Sequence, residues 1–210
     1  MNKKSFGNKF IAYPYIAWSA IFIVVPLLIM FYFALTDANG VFTLANLASL
    51  GRYKKAFALS IFYAVIATII TLLLAYPMAY FMTKIKISSQ KMIMLIVMLP
   101  MWTNFLIRTY SWITILANTG IINTFLQKIG LAPVKLINTP GAVILGMVYD
   151  FIPYMILPIY SVMSKIDNSL LEASDDLGAN AFNKFKRVIF PLSRPGVISG
   201  ITMVFVPSVS

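Results

Sequence analysis

The chain has 210 residues, 60% of them hydrophobic and only 11% charged, where soluble domains carry about a quarter charged residues. A chain this apolar cannot cover itself with a water-compatible surface, so lipid is the solvent its composition demands. The absence of Cys and His excludes disulfide staples, thiolate metal sites and imidazole bases, and the net charge of +11 lies in loops between apolar runs, which points to membrane topology rather than nucleic acid.

The length leaves room for about five crossings of ~20 residues each, so a single membrane domain over 1–210 is expected. Phe10 to Thr36 is uncharged and follows Lys3, Lys4 and Lys9. It is longer than the apolar core of a cleaved signal peptide, and a retained helix is predicted. Ala56 to Thr83 is the second uncharged run, and Met92 to Ile107 is a short third that ends at Arg108. Thr109 to Phe125 is apolar but interrupted by Ser111, Asn118, Gly120 and Asn123. It reads as an outer-face helix or re-entrant piece, with a full crossing as the alternative. Pro140 to Ser164 is the fourth crossing and contains Asp150, Pro153 and Pro158. Gly196 to Ser210 starts a fifth, shorter than a span requires, and the expectation is that further helices follow it in a longer chain.

With the N-terminus inside, the inner segments hold Lys3, Lys4, Lys9, Lys84, Lys86, Lys91, Lys165, Lys184, Lys186, Arg187 and Arg194. The outer ones hold Arg52, Lys54, Lys55, Arg108, Lys128 and Lys135. Basic residues concentrate on the cytoplasmic side, so this bias predicts a cytoplasmic N-terminus.

The 165–195 loop is the most specific segment. Ser169 and Glu172 have capping-box spacing, and Gly178 suits a left-handed position that ends a short helix. Phe182, Phe185, Val188 and Ile189 then recur on one face of a second helix, which Pro191 and Pro195 are expected to close. An apolar stripe of this kind serves either a membrane surface or a soluble partner's groove.

These residues carry a resemblance. Permeases of ABC importers have a cytoplasmic loop with the pattern E-A-A, three residues, G, nine residues, I-x-L-P. Here Glu172-Ala173-Ser174 is followed at that spacing by Gly178 and by Val188-Ile189-Phe190-Pro191, with Ser174, Val188 and Phe190 as mild departures. The stretches Leu99 to Tyr110, Gly146 to Tyr149, Pro153 to Met155 and Leu157 to Tyr160 resemble spermidine/putrescine permeases. The resemblance implies an all-α polytopic transmembrane bundle like that of type I ABC importers, in a bacterial inner membrane. It implies a coupling helix seated in a cytoplasmic ATPase dimer, with Glu172, Ala173, Gly178, Val188 and Pro191 shaping it. A second permease, expected to be a paralogue, and an extracellular or periplasmic substrate-binding protein are the other partners it implies, and no cofactor is expected. Independently of the resemblance, the chain has no Gly-Lys pair and hence no phosphate-binding loop of its own.

Asp150 is the one acidic residue inside an apolar run, ~15 Å into its helix and so near the bilayer midplane. A carboxylate there is a candidate for meeting a cationic solute, or else a packing residue bonded to a neighbour. Pro153 and Pro158 free carbonyls near Tyr149 and Tyr154, which suits a cavity wall. Trp102, Asn104, Tyr110 and Trp112 could contact the same solute, the aromatics competing with an interfacial-belt role. Arg108 is expected to reach the outer surface or to meet an external binding protein. Gly196 and Gly200 match a close-packing pair. Import of ferric iron or another small solute, a secondary transporter or channel, and a non-transporting scaffold remain alternatives. An enzyme is not expected, given the missing His and Cys and the lack of paired intramembrane carboxylates.

Overall fold

The computed structural model describes residues 13–37 and 39–209. Lys3, Lys4, Lys9, the start of the first run at Phe10, and Ser210 lie outside the described residues. The chain folds as two compact units, Met1–Phe57 and Ala58–Ser210. All eight helices introduced below (α1–α8) are assigned among the described residues.

In the first unit, α1 (Tyr13–Ala34) is long and apolar enough to cross a membrane, and its side chains are exposed throughout its central run. A π-helical turn, Ala20–Val24, sits inside it, closed by the Val25 N–H donating to the Ala20 carbonyl. The next residue, Pro26, has no N–H and its ring would press on the carbonyl four residues back, so widening that turn keeps the helix intact. Beyond α1 the chain reverses through an antiparallel bridge between Thr36 and Phe42. The Asn46 side-chain amide donates to the Phe33 and Thr36 carbonyls at 3.1 and 2.9 Å, satisfying acceptors left open at the helix end.

α2 (Lys54–Lys84) follows a short helix, Ala45–Ser49, and a 3-10 turn, Leu50–Tyr53. Its buried positions, Ala64, Ala67, Thr68, Thr71, Ala75, Ala79 and Met82, recur every three or four residues and are nearly all small. That is the stripe of a helix packed on protein along one face while its bulky residues, Phe62, Leu73 and Phe81 among them, face outward. Thr68 and Thr71 return their hydroxyls to the carbonyls one turn back, at 2.7 and 2.6 Å, so no polar group is stranded.

Lys84, Lys86 and Lys91, grouped above as one inner segment, do not share a loop, because α3 (Ile87–Trp102) already begins at Ile87 and carries Lys91. The expected third crossing, Met92 to Ile107, is not straight either. The chain breaks at Thr103 and Asn104, and Ile87–Trp102 and Phe105–Lys128 meet at 92°. Local chemistry accounts for the break. Thr103 is extended, and Asn104 caps α4 (Phe105–Leu116) by accepting from the Leu106 N–H at 2.8 Å. α5 (Ile121–Lys128) completes this bent piece. Asn123, fully buried, pins it by donating to the Ala117 and Val134 carbonyls and accepting from the Val134 N–H.

α6 (Pro140–Met163) agrees closely with the fourth predicted crossing, with Thr139 capping its start. α7 (Asn168–Asp176) lies in the 165–195 loop. The last helix, α8, runs from Ala181 to Val209 over 29 residues, so the fifth crossing starts well before Gly196 and reaches spanning length. Pro191 and Pro195 do not close the preceding segment. A second π-helical turn, Phe185–Ile189, precedes Pro191 and relieves its ring as the first does for Pro26. By length and composition, four helices among the described residues can cross a membrane, or five with the bent piece counted as one span.

The core lies between α2, α6 and α8. Ala75, Ala79 and Met82 meet Met155, Ile156, Ile159 and Met163, with Ile189 and Val204. Gly196 and Gly200 let α8 approach α6 at backbone distance. A Cβ on Gly196 would fall 2.8 Å from the Pro158 carbonyl oxygen and 3.0 Å from the Ile159 Cα. Tyr76 adds a polar tie from α2 to α8, its hydroxyl 2.8 Å from that of Ser193.

Candidate functional site

Two regions carry the residues singled out by sequence. The first is the turn between α7 and α8. Asp167, extended in backbone, caps α7 by accepting from the Ser169 N–H at 3.0 Å. The cap is therefore two residues ahead of the expected Ser169, which lies inside the helix while Glu172 stays exposed. Hydrogen bonding from Ser169, through its backbone N–H first and its side-chain hydroxyl second, holds the Asp167 carboxyl below the usual carboxylate range.

At the other end, Gly178 has φ +74°, the left-handed conformation expected of it. The Gly178 N–H donates to the Asp175 carbonyl at 2.8 Å and the Ala179 N–H to that of Ser174 at 3.0 Å, the paired bonds of a Schellman close. Asn180 then caps α8 by accepting from the Asn183 N–H. An ion pair between Lys184 and Asp175 straps the two helices together. Leu171, Phe185 and Ile189 turn toward the core. Val188 is half-buried, Pro191 is a helical residue of α8, and Glu172 and Ala173 remain outside with Leu170, Leu177 and Phe182.

The second region surrounds Asp150. Its Oδ1 lies 3.1 Å from Nη1 of Arg108, both side chains being only about one-seventh exposed (16% and 14%). Arg108 is therefore not directed to the outer surface; a carboxylate at this depth holds it inward. Neither Oδ1 of Asp150 nor Nε and Nη1 of Arg108 makes a hydrogen bond among the described residues, so the contact is ionic without donor alignment. The Trp112 ring meets that of Tyr149 edge to face at 5.2 Å. Cavities open on both sides. One of about 340 Å³ is lined by Asp150, Trp112, Phe105, Asn138 and Gly146; one of about 420 Å³ by Arg108, Trp112, Tyr149, Thr103 and Ser111.

The fold thus brings Asp150 and Tyr149 together with Trp112, and adds Arg108. Trp102, 74% exposed, and Asn104, a helix cap, line neither cavity; Tyr154 packs against Phe151 one turn along α6. The Arg108–Asp150 pair was not legible in sequence. The single signal available was that each is a charge inside an apolar stretch, and such charges seek each other.

Residues 72–210 match the family described as binding-protein-dependent transport system inner membrane component. The chain belongs to that family. Within the family it is 41% identical over 202 residues to the spermidine/putrescine transport system permease protein PotB of Haemophilus influenzae, covering 91% of this chain and 71% of that protein. It is 36% identical over 203 residues to the PotB of Escherichia coli K12, covering 92% and 74%. Among solved structures it is similar to a bacterial ABC transporter that imports alginate, with a TM-score of 0.71 at 20% identity, covering 92% of this chain and 71% of that one. That likeness shows a shared fold, the all-α bundle expected from the sequence.

Proposed function

We propose that this chain is one of two permeases lining the path of an ABC importer for polyamines, powered by ATP hydrolysed on a cytoplasmic ATPase dimer. The second permease is a paralogue, a binding protein delivers the substrate from outside, and the N-terminus lies in the cytoplasm of a bacterial cell. The observation that carries the reading is the α7–Gly178–α8 turn. It is capped at both ends, strapped by an ion pair, anchored to the core on one side and exposes Leu170, Leu177 and Phe182 on the other. An apolar helical knob on a rigid base fits a groove in a soluble partner and transmits force to the helices behind it. The substrate class follows from the names of the relatives and from Asp150, a carboxylate beside aromatic rings at membrane depth. Paired with Asp150, Arg108 leaves no unbalanced positive charge beside these cavities to oppose a cation.

The test is co-purification of the ATPase with the permease, wild type beside Gly178→Val. Open space surrounds Gly178, so the substitution clashes with nothing and acts through its left-handed backbone, which a β-branched residue resists by about 1–2 kcal/mol. The ATPase is expected to accompany wild type and to be largely lost from the variant, with insertion unchanged. Equal recovery with both would remove the turn from the coupling role.

A further inference from the structure

Resting on that reading for which side is cytoplasmic, we propose that a cavity on the core side of the α7 turn binds the headgroup of an anionic phospholipid of the inner leaflet, which props the turn against the ends of the membrane helices. The cavity, about 450 Å³, is lined by Tyr80 and Lys84 of α2, Gln90 of α3, Asn168 and Leu171 of α7 and Ile189 of α8. It shares no residue with the two beside Arg108 and Asp150. Its depth selects the class of ligand. α2 and α6 both contain runs long and apolar enough to span, and the cavity takes in the last residue of each, Lys84 and Met163. It therefore lies where two crossings leave the bilayer, at the level of lipid headgroups, where basic pockets between membrane helices hold anionic lipids.

Charge and hydrogen bonding select the headgroup. Lys84 forms no ion pair among the described residues, its ammonium lying 5.3 Å from the centre of the Tyr80 ring. No acidic residue lines the cavity, while Lys86, Lys91 and Lys165 each adjoin a lining residue in the chain. The adjoining carboxylates are Asp167, exposed and bound to the Ser169 N–H, and Glu172, also exposed. Gln90 is engaged within the fold, donating to the Ile85 carbonyl at 2.8 Å and accepting from the Tyr160 hydroxyl at 2.7 Å. The Asn168 amide makes no hydrogen bond among the described residues, so it and Lys84 are the donors left for a phosphate. Ile87, Met163 and Ile166 supply an apolar wall, which suits a lipid and does nothing for a free anion. Leu171 and Ile189 both border the cavity and pack into the core, so an occupant bears on the anchored side of the turn.

The experiment titrates phosphatidylglycerol into the complete, detergent-solubilised transporter and counts bound lipid by native mass spectrometry, with phosphatidylcholine as the neutral comparison. Wild type is expected to prefer phosphatidylglycerol, and Lys84→Gln to bind it about fivefold more weakly, the contribution of one lysine at an anionic surface. Lys91→Gln removes the same charge outside the cavity and is expected to change binding little. Asn168→Asp suits the first turn of α7, where a carboxylate is favoured, but sets a negative charge in the cavity. It is expected to weaken binding at least as much as Lys84→Gln. Amide exchange in α7 should slow as the lipid is added to wild type and not when it is added to Lys84→Gln. Equal losses in Lys84→Gln and Lys91→Gln, full binding in Asn168→Asp, or unslowed exchange in lipid-bound wild type overturns the proposal. Displacement of the lipid by inorganic phosphate would give the cavity to a soluble anion and overturn it too. Wild type that binds the lipid through Lys84 but purifies without an ATPase would defeat the importer reading and leave the site standing.

Discussion

The two residues that end the α7 turn work by different physics and respond to different perturbations. Asp167 acts through charge and hydrogen bonding. Its carboxyl is held below the usual range because the ionised form accepts the Ser169 N–H. A group depressed in the folded state stabilises it fully above the unfolded value of about 3.9, and that support fades as pH falls through the lower folded value. The turn is therefore expected to be indifferent to Asp167 between pH 6 and 8 and to loosen in strong acid. Amide exchange of the first turn of α7 in Asp167→Asn, which caps as well without titrating, should lose that acid dependence; an unchanged acid limb would place its origin elsewhere. Gly178 acts through backbone conformation and has no pH dependence. It was legible in sequence because a left-handed position is a local demand that few residues meet. The cap was misplaced because Ser169 and Glu172 satisfy the same pattern, and only the extended backbone at Asp167 decides between them. The partner of Asp150 could not be read at all, since α4 and α6 are brought together by packing.

At the scale of elements, the α6–α8 seam gives the sharpest contrast. Gly196 abuts backbone, the Pro158 carbonyl and the Ile159 Cα, which cannot move without parting the helices. Gly200 meets first the Met155 sulfur, at 2.6 Å from an added Cβ, and a thioether can swing aside. Gly196→Ala is thus expected to destabilise the assembled complex by about 1–3 kcal/mol, and Gly200→Ala by less. Thermal unfolding in detergent would rank them, and the reverse order would mean that Met155 is the more rigid neighbour. Most crossings were legible because uninterrupted apolarity of spanning length is a strong signal. The breaks were not. Pro191 and Pro195 look like helix ends but sit inside α8, where a π-helical turn absorbs the first of them, whereas the real corner at Thr103–Asn104 is marked by ordinary residues.

For the whole molecule, the site at Asp150 and the turn at Gly178 have separate tasks, and transport kinetics can tell them apart. Asp150→Asn keeps the side-chain volume and an oxygen that can accept from Arg108, so assembly should survive. What it removes is the charge a cationic substrate meets. If that contact forms as substrate enters the path, the KM for polyamine uptake should rise by on the order of tenfold with the ATPase still bound. Gly178→Val should do the opposite, lowering turnover through lost coupling while the KM of the remaining active fraction holds. The two sites lie on different elements with no shared partner, α6 with α4 for one and α7 with α8 for the other. Their effects should therefore multiply in the double variant. Should Asp150→Asn instead detach the ATPase or fail to add to Gly178→Val, the Arg108–Asp150 pair would be a strut that holds α4 on α6. Its cavities would then be packing voids beside that strut, and the carboxylate would have no part in the substrate path.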